Sequence, residues 1–227
     1  MPNYAVAPPA IPVVPVDDGT MFPVRRVYCV GRNYGEHAIE MGHSDKEPPF
    51  FFGKPADALV TGGAATPYPV ATHDLHHEIE LVVAIGTAAV GISPEAALGH
   101  VFGYGAGIDL TRRDLQAEAK KASRPWDMAK GFDHSAPIGT IAAASRIGHP
   151  AGGAITLAVN GAPRQSGDLA EMIWDVPHIV AYLSGLVALK PGDLIFTGTP
   201  AGVGAVVRGD RLTGSIAGVG TVETVIA

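Results

Sequence analysis

The chain has 227 residues, 47% hydrophobic and 17% charged, with a formal net charge of -6. That is ample for one packed domain and too apolar for general disorder, and the acidic balance argues against a nucleic-acid partner, which would need a basic face. A single cysteine, Cys29, excludes an internal disulfide framework and a Cys-rich zinc site and fits a reducing, cytoplasmic setting.

Residues 1–20 lack the basic and apolar regions of a secretory signal. They carry Pro8, Pro9, Pro12 and Pro15 instead, which favour an extended arm. The domain is therefore expected to span residues 21–227. No apolar stretch approaches the ~20 residues that span a bilayer, so neither a membrane nor a nucleic acid is expected as a partner. Residues 24–30 read as a short strand, and Gly31-Arg32-Asn33 as a turn. Residues 34–41 can form a short helix that stops near Gly42. Phe50, Phe51 and Phe52 make an apolar segment ending at Gly53-Lys54-Pro55. Residues 57–74, rich in Gly, Pro and Thr, suggest short strands and turns.

A strand is expected over 78–85. A short helix follows at 94–98, with Ser93 as N-cap and Pro94 at its first position, and then a Gly-rich strand over 101–108. Residues 111–121 have helix-forming composition. The run 155–159, followed by Asn160-Gly161, signals a hairpin. A helix can begin at 168–172, and a firmer one is expected over 176–188. Strands return at 194–197, 203–207 and 221–226. Many short strands, Gly-rich corners and few helices indicate a β-rich α+β domain, and the missing strand–helix alternation argues against a doubly wound sheet.

Glu78 and Glu80 lie two apart, so on a strand they share a face while Ile79 and Leu81 share the other. Two like charges beside a core are costly without a cation between them. An exposed sheet edge could carry the same pair, but the strand continues as Leu-Val-Val-Ala-Ile, and a third acid, Asp109, ends another apolar run. Three hard oxygen donors without cysteine suit Mg²⁺ or Mn²⁺ better than zinc. The neighbouring pair His76-His77 does not complete a zinc motif, because Leu81 stands where HExxH needs its second His. On the helix expected over 34–41, His37 and Glu40 are three apart and face one way. They form either a carboxylate-oriented general base or an incidental pair on a solvated face. Arg112, Arg113, Gln116 and Lys130 supply donors for an anion or merely decorate an amphipathic surface. Residues 196–204 look superficially like a phosphate loop but lack the Gly-Lys-Ser/Thr ending.

Five segments together resemble the fumarylacetoacetate hydrolase family: Tyr-Cys-Val-Gly-Arg-Asn-Tyr (28–34), His-His-Glu-Ile-Glu-Leu (76–81), Asp-Leu-Thr-Arg-Arg-Asp-Leu-Gln (109–116), Trp-Asp-Met-Ala-Lys-Gly-Phe-Asp (126–133) and Thr-Gly-Thr-Pro-Ala-Gly-Val-Gly (197–204). Phe-Pro-Val-Arg-Arg (22–26) and the segment around Phe50 are similar to its fumarylpyruvate hydrolase branch. The resemblance implies a mixed, rolled β-sheet and a homodimer. It implies one Mg²⁺ or Mn²⁺ ion per chain, with Ca²⁺ also compatible, held by Glu78, Glu80 and Asp109. It places a His37–Glu40 dyad on a lid-like helix, a catalytic lysine at Lys130, and substrate contacts at Arg32, Tyr34, Arg113, Gln116 and Thr199. The expected activity is hydrolysis of the carbon–carbon bond of an acylpyruvate such as 3-fumarylpyruvate, in aromatic catabolism of the gentisate type. Three alternatives stay open: decarboxylation of oxaloacetate or a related β-keto acid on the same fold, a metal-dependent carboxylate-binding protein without catalysis, and a calcium ion that merely braces a β-rich domain.

Overall fold

The computed structural model describes residues 3–35 and 47–227. In chain order its first strands are β1 (Val13–Pro15), β2 (Met21–Pro23), β3 (Arg26–Gly31), β4 (Phe50–Lys54), β5 (Leu59–Val60), β6 (Leu75–His77), β7 (Ile79–Ile85), β8 (Val101–Ile108) and β9 (Thr111–Arg112). They continue as β10 (Ala136–Pro137), β11 (Ala142–Ala143), β12 (Ala154–Val159), β13 (Ala162–Asp168), β14 (Asp193–Phe196), β15 (Gly204–Val206), β16 (Arg211–Ile216) and β17 (Gly220–Val225). The helices are short, the longest being Val176–Leu186, which Asp175 caps through the His178 N–H, and Arg113–Lys121. No helix among the described residues is long and apolar enough to cross a membrane.

A six-stranded sheet runs in the order β11-β8-β7-β14-β3-β4. It is mixed, because β14 and β3 pair parallel while the other neighbours pair antiparallel. Every residue of β7 is buried, so both faces of this sheet are covered. Alternation divides the strand between two cores: Ile79, Leu81, Val83 and Ile85 enter one, Val82 and Ala84 the other. Over the first face lies a four-stranded antiparallel sheet, β13-β12-β16-β17. Its approach is close, since a Cβ at Gly214 of β16 would fall 2.4 Å from Ile79 Cδ1. A three-stranded sheet, β15-β6-β9, adjoins the start of β7.

Several elements differ from the sequence expectation, each for a local reason. Residues 3–12 have no regular structure, but from Val13 the chain is a hairpin rather than an extended arm. Val14, Val16 and Phe22 are buried in the second core, and Pro15, which has no N–H to give, accepts from Ile141 N through its carbonyl. Thr111 and Arg112 form a strand with β6 instead of a first helical turn, and the helix starts at Arg113. The segment 169–171 makes one 3₁₀ turn, closed by a capping box between Asp168 and Glu171. β16 had no sequence expectation. The Asn160-Gly161 hairpin forms as expected, with both residues at positive φ (54° and 80°). The helix expected over 34–41 lies mostly outside the described residues.

Candidate metal centre

The register of β7 against β8 sets the centre. Ile79 pairs with Ile108, Glu80 with Gly107, and the ladder extends one step further because Asp109 N donates to Glu78 O at 2.8 Å. Directly opposed residues of an antiparallel pair project to the same face, so Glu78, Glu80 and Asp109 converge. One carboxylate oxygen from each lies within 4.8 Å of the others, and all three residues are buried. The break between β6 and β7 at Glu78 is stitched by Gln165. Its Oε1 accepts from Ile79 N at 3.1 Å and pairs with His77 Nδ1 at 2.9 Å, while its Nε2 donates to Thr199 Oγ1 (2.8 Å) and Pro200 O (2.9 Å).

Three cations meet the three acids. Lys130 Nζ donates to Glu78 Oε2 (2.8 Å), Asp109 Oδ2 (2.7 Å) and Thr111 Oγ1 (2.6 Å). Lys54 Nζ stands 2.7 Å from Asp109 Oδ1, an ion pair without hydrogen-bond alignment, and donates to the carbonyls of Leu110 and Lys130. Arg113 Nη2 contacts Glu78 Oε1 at 2.5 Å, and Nη1 donates to Gln116 Oε1. Burial, reinforced by Asp109 and Glu78, pushes the Glu80 carboxyl well above the usual carboxylate range, against the N–H that Gly198 donates at 2.7 Å. For Lys130 burial works against the charge, but Asp109 and Glu78 outweigh it and hold the ammonium above its ordinary pKa.

The donor set fits a hard dication. It is all oxygen, buried, and close enough to share one ion, and a dication would relieve the mutual repulsion that raises Glu80. The acids form the floor of a narrow cleft, open to solvent, with Arg113, Gln116, Arg32, Trp126 and Thr199 among its walls. Gly198 turns the wall beside Glu80 with φ +98°, and a Cβ there would fall 2.7 Å from Asn33 Cβ. Asn33 in turn donates through Nδ2 to Thr197 O and Trp174 O, both at 2.8 Å, tying the end of β3 to this loop.

Of the residues singled out in the sequence, Glu78, Glu80, Asp109, Lys130, Arg113, Gln116, Arg32 and Thr199 all reach this cleft. Tyr34 does not line it. Its ring is buried beside a separate hollow with Glu171 and Pro200, and its hydroxyl has no partner among the described residues. Arg112 turns away, its guanidinium 4.4 Å from the Phe132 ring, as strand alternation next to Thr111 requires. His37 and Glu40 lie outside the described residues. Sequence reasoning missed Lys54, Gln165, Asn33 and Trp126. Asn33 and Trp126 fall within the quoted segments 28–34 and 126–133, and Lys54 is a lone charge closing the Phe50–Phe52 run, whereas Gln165 gave no signal.

Comparison with known proteins places residues 26–227 under the model of the fumarylacetoacetate (FAA) hydrolase C-terminal family. A solved fumarylpyruvate hydrolase of Pseudomonas aeruginosa, in complex with Mn²⁺ and pyruvate, is 50% identical, with a TM-score of 0.96 over 99% of both chains. A candidate fumarylpyruvate hydrolase of Burkholderia cenocepacia is 59% identical, with a TM-score of 0.93 over 100% of this chain and 99% of that one. The oxaloacetate tautomerase of Escherichia coli is 43% identical over 193 residues, 85% of this chain and 88% of its own length.

Proposed function

The chain belongs to the fumarylacetoacetate hydrolase family, and from that premise we propose that it hydrolyses the carbon–carbon bond of an acylpyruvate, converting 3-fumarylpyruvate and water to fumarate and pyruvate. The observation that carries this reading is a buried all-oxygen centre ringed by Lys54, Lys130 and Arg113 within 2.5–2.8 Å of its acids. A dioxo acid, with its carboxylate beside a keto or enolate oxygen, is the complement of such a centre. The likeness to a fumarylpyruvate hydrolase solved with Mn²⁺ and pyruvate supports the same choice.

Bound by Glu78, Glu80 and Asp109, Mg²⁺ or Mn²⁺ would supply Lewis acidity toward the pyruvyl oxygens. The remaining work falls to side chains. Lys130, kept protonated by its two acidic partners and with all three N–H groups held by Glu78, Asp109 and Thr111, offers its charge, not a hydrogen bond, to the oxyanion that develops on the acyl carbonyl. Arg113, held in place by Glu78 and Gln116, binds substrate carboxylate. Thr199 accepts from Gln165 and keeps its own hydroxyl hydrogen to donate. The family resemblance assigns His37, with Glu40 as its partner, as the base that takes a proton from water. The hydroxyl ends on fumarate and the proton on the methyl carbon of pyruvate.

The E. coli relative, an oxaloacetate tautomerase, favours a second reading, keto–enol conversion of oxaloacetate by the same centre with no attacking water. One assay separates them, with protein stripped by EDTA and then given Mg²⁺ or Mn²⁺. Equimolar fumarate and pyruvate from fumarylpyruvate is the expected result. Enol loss from oxaloacetate, without acylpyruvate cleavage, would replace the first reading with the second. Inactivity toward both with metal present would overturn both.

A further inference from the structure

Arg32 is held in an unusual way. It is not a glycine, yet its φ is +59°, a conformation that persists only where the surroundings enforce it. The enforcement is visible in its neighbours. A Cβ on Gly31 would lie 2.0–2.7 Å from the Phe50 ring, so the glycine lets that ring press on the backbone of the turn. Phe50 meets Trp126 edge-on, with centroids 5.1 Å apart and planes at 82°. The Arg32 guanidinium carbon sits 5.3 Å from the Phe50 centroid and 5.7 Å from that of Trp126. Two rings thus hold the guanidinium over the cleft and restrict its rotamers.

Among the described residues Arg32 is matched only loosely: its ion pair is with Glu47, 3.7 Å away with a side chain 60% exposed, and its Nε has no hydrogen-bond partner. Arg113, in the same cleft, already contacts Glu78. Arg113, Gln116 and Lys120 follow one another at helical spacings of three and four, which share a helix face. Burial, and then the fields of Arg32 and Arg113, hold the Lys120 ammonium below its ordinary pKa. Like charges this near to one another are unfavourable unless a ligand brings negative charge.

We infer that Arg32 is the receptor for a second carboxylate, carried on the acyl arm of the substrate, so that the enzyme selects acylpyruvates whose distal group is anionic over those whose distal group is neutral. The inference rests on the acylpyruvate reading and sharpens it. The dioxo head of the substrate lies at the acid floor, and the acyl arm runs along the wall to the ring-clamped guanidinium.

The test compares fumarylpyruvate with acetylpyruvate, whose arm ends in a methyl group. In Arg32→Met, the ratio of kcat/KM for fumarylpyruvate over acetylpyruvate should fall about 10²-fold, since a site built for a charged group loses that much when the charge pair is broken. Arg32→Lys should keep part of the ratio. Trp126→Leu, which loosens the clamp but keeps the charge, should lower it less than Arg32→Met, and stands in if that variant does not fold. An unchanged ratio, however far both rates fall together, would overturn the inference and leave the acylpyruvate reading intact. If the wild type cleaves neither compound, that reading falls. Titration of the Mn²⁺-loaded protein then decides: fumarate affinity lost in Arg32→Met with pyruvate affinity kept supports the receptor, and equal changes in both overturn it.

Discussion

Glu80 carries the clearest consequence at the level of single residues. Its raised pKa means that, between the ordinary carboxylate value and the raised one, the folded protein binds more protons than the unfolded chain. Metal-free protein should therefore lose stability as pH rises through that interval. A dication requires the ionised form, so its effect runs the other way. The gain in Tm from excess Mn²⁺ should be largest at neutral pH and above, and should shrink as pH falls toward the ordinary carboxylate range. Thermal melts at a series of pH values, with EDTA or with Mn²⁺, measure it, and a gain independent of pH would count against Glu80 as a ligand. Glu80→Gln keeps an oxygen to accept from Gly198 N while removing one of three buried charges. The variant should fold at least as stably without metal, yet bind Mn²⁺ at least ~10²-fold more weakly, beyond what loss of an outer contact costs. Calorimetric titration reads this directly.

Among the elements, the β7–β8 pair does most to build the centre, and it tolerates little. Gly107 faces Glu80 across the ladder, and a Cβ there would fall 2.6 Å from both Phe196 Cε1 and Val82 Cγ2. Gly107→Ala should cost about 1–3 kcal/mol in denaturant unfolding, the range for overpacking a tight core, and should weaken Mn²⁺ binding by spreading β7 from its neighbours. Stability equal to wild type would mean that the strands separate without strain. This pair was also the most legible part of the sequence. A period of two put both glutamates on one face, and Asp109 ended the partner strand, so the acids could be read from neighbouring segments alone. β16 was illegible for the opposite reason. Gly214 and Ser215 weaken its strand signal, yet Gly214 is what allows the sheet to settle onto Ile79. Thr111 and Arg112 misled in a similar way, since helix-favouring residues follow them and their strand partner, β6, lies more than thirty residues earlier.

In the molecule as a whole, the supports of the centre come from far along the chain, which is why sequence alone did not reveal them. Lys54 reaches Asp109 from the outermost strand of the six, and Gln165 reaches His77 across 88 positions. The amino-terminal hairpin, too, is fixed by a distant segment around Ile141. Cys29 lies between these parts in the second core, fully buried, and burial raises its thiol well above the ordinary pKa. It should resist a thiol-specific reagent in the native state and react at a rate set by global opening. Stopped-flow labelling across a urea series checks this, and fast labelling without denaturant would place a local opening at β3. Strand β7 bears a different cost. The run Ile-Glu-Leu-Val-Val-Ala-Ile, harmless while sandwiched, has the make-up of a self-associating peptide whenever the chain is open. Glu80 within the run and Glu78 before it are the charges that keep such chains apart, so the acids that would grip an ion in the finished protein also act as gatekeepers during synthesis. Neutralising them trades ion binding for inclusion bodies, and recovery of soluble protein becomes a second property that depends on the same carboxylates.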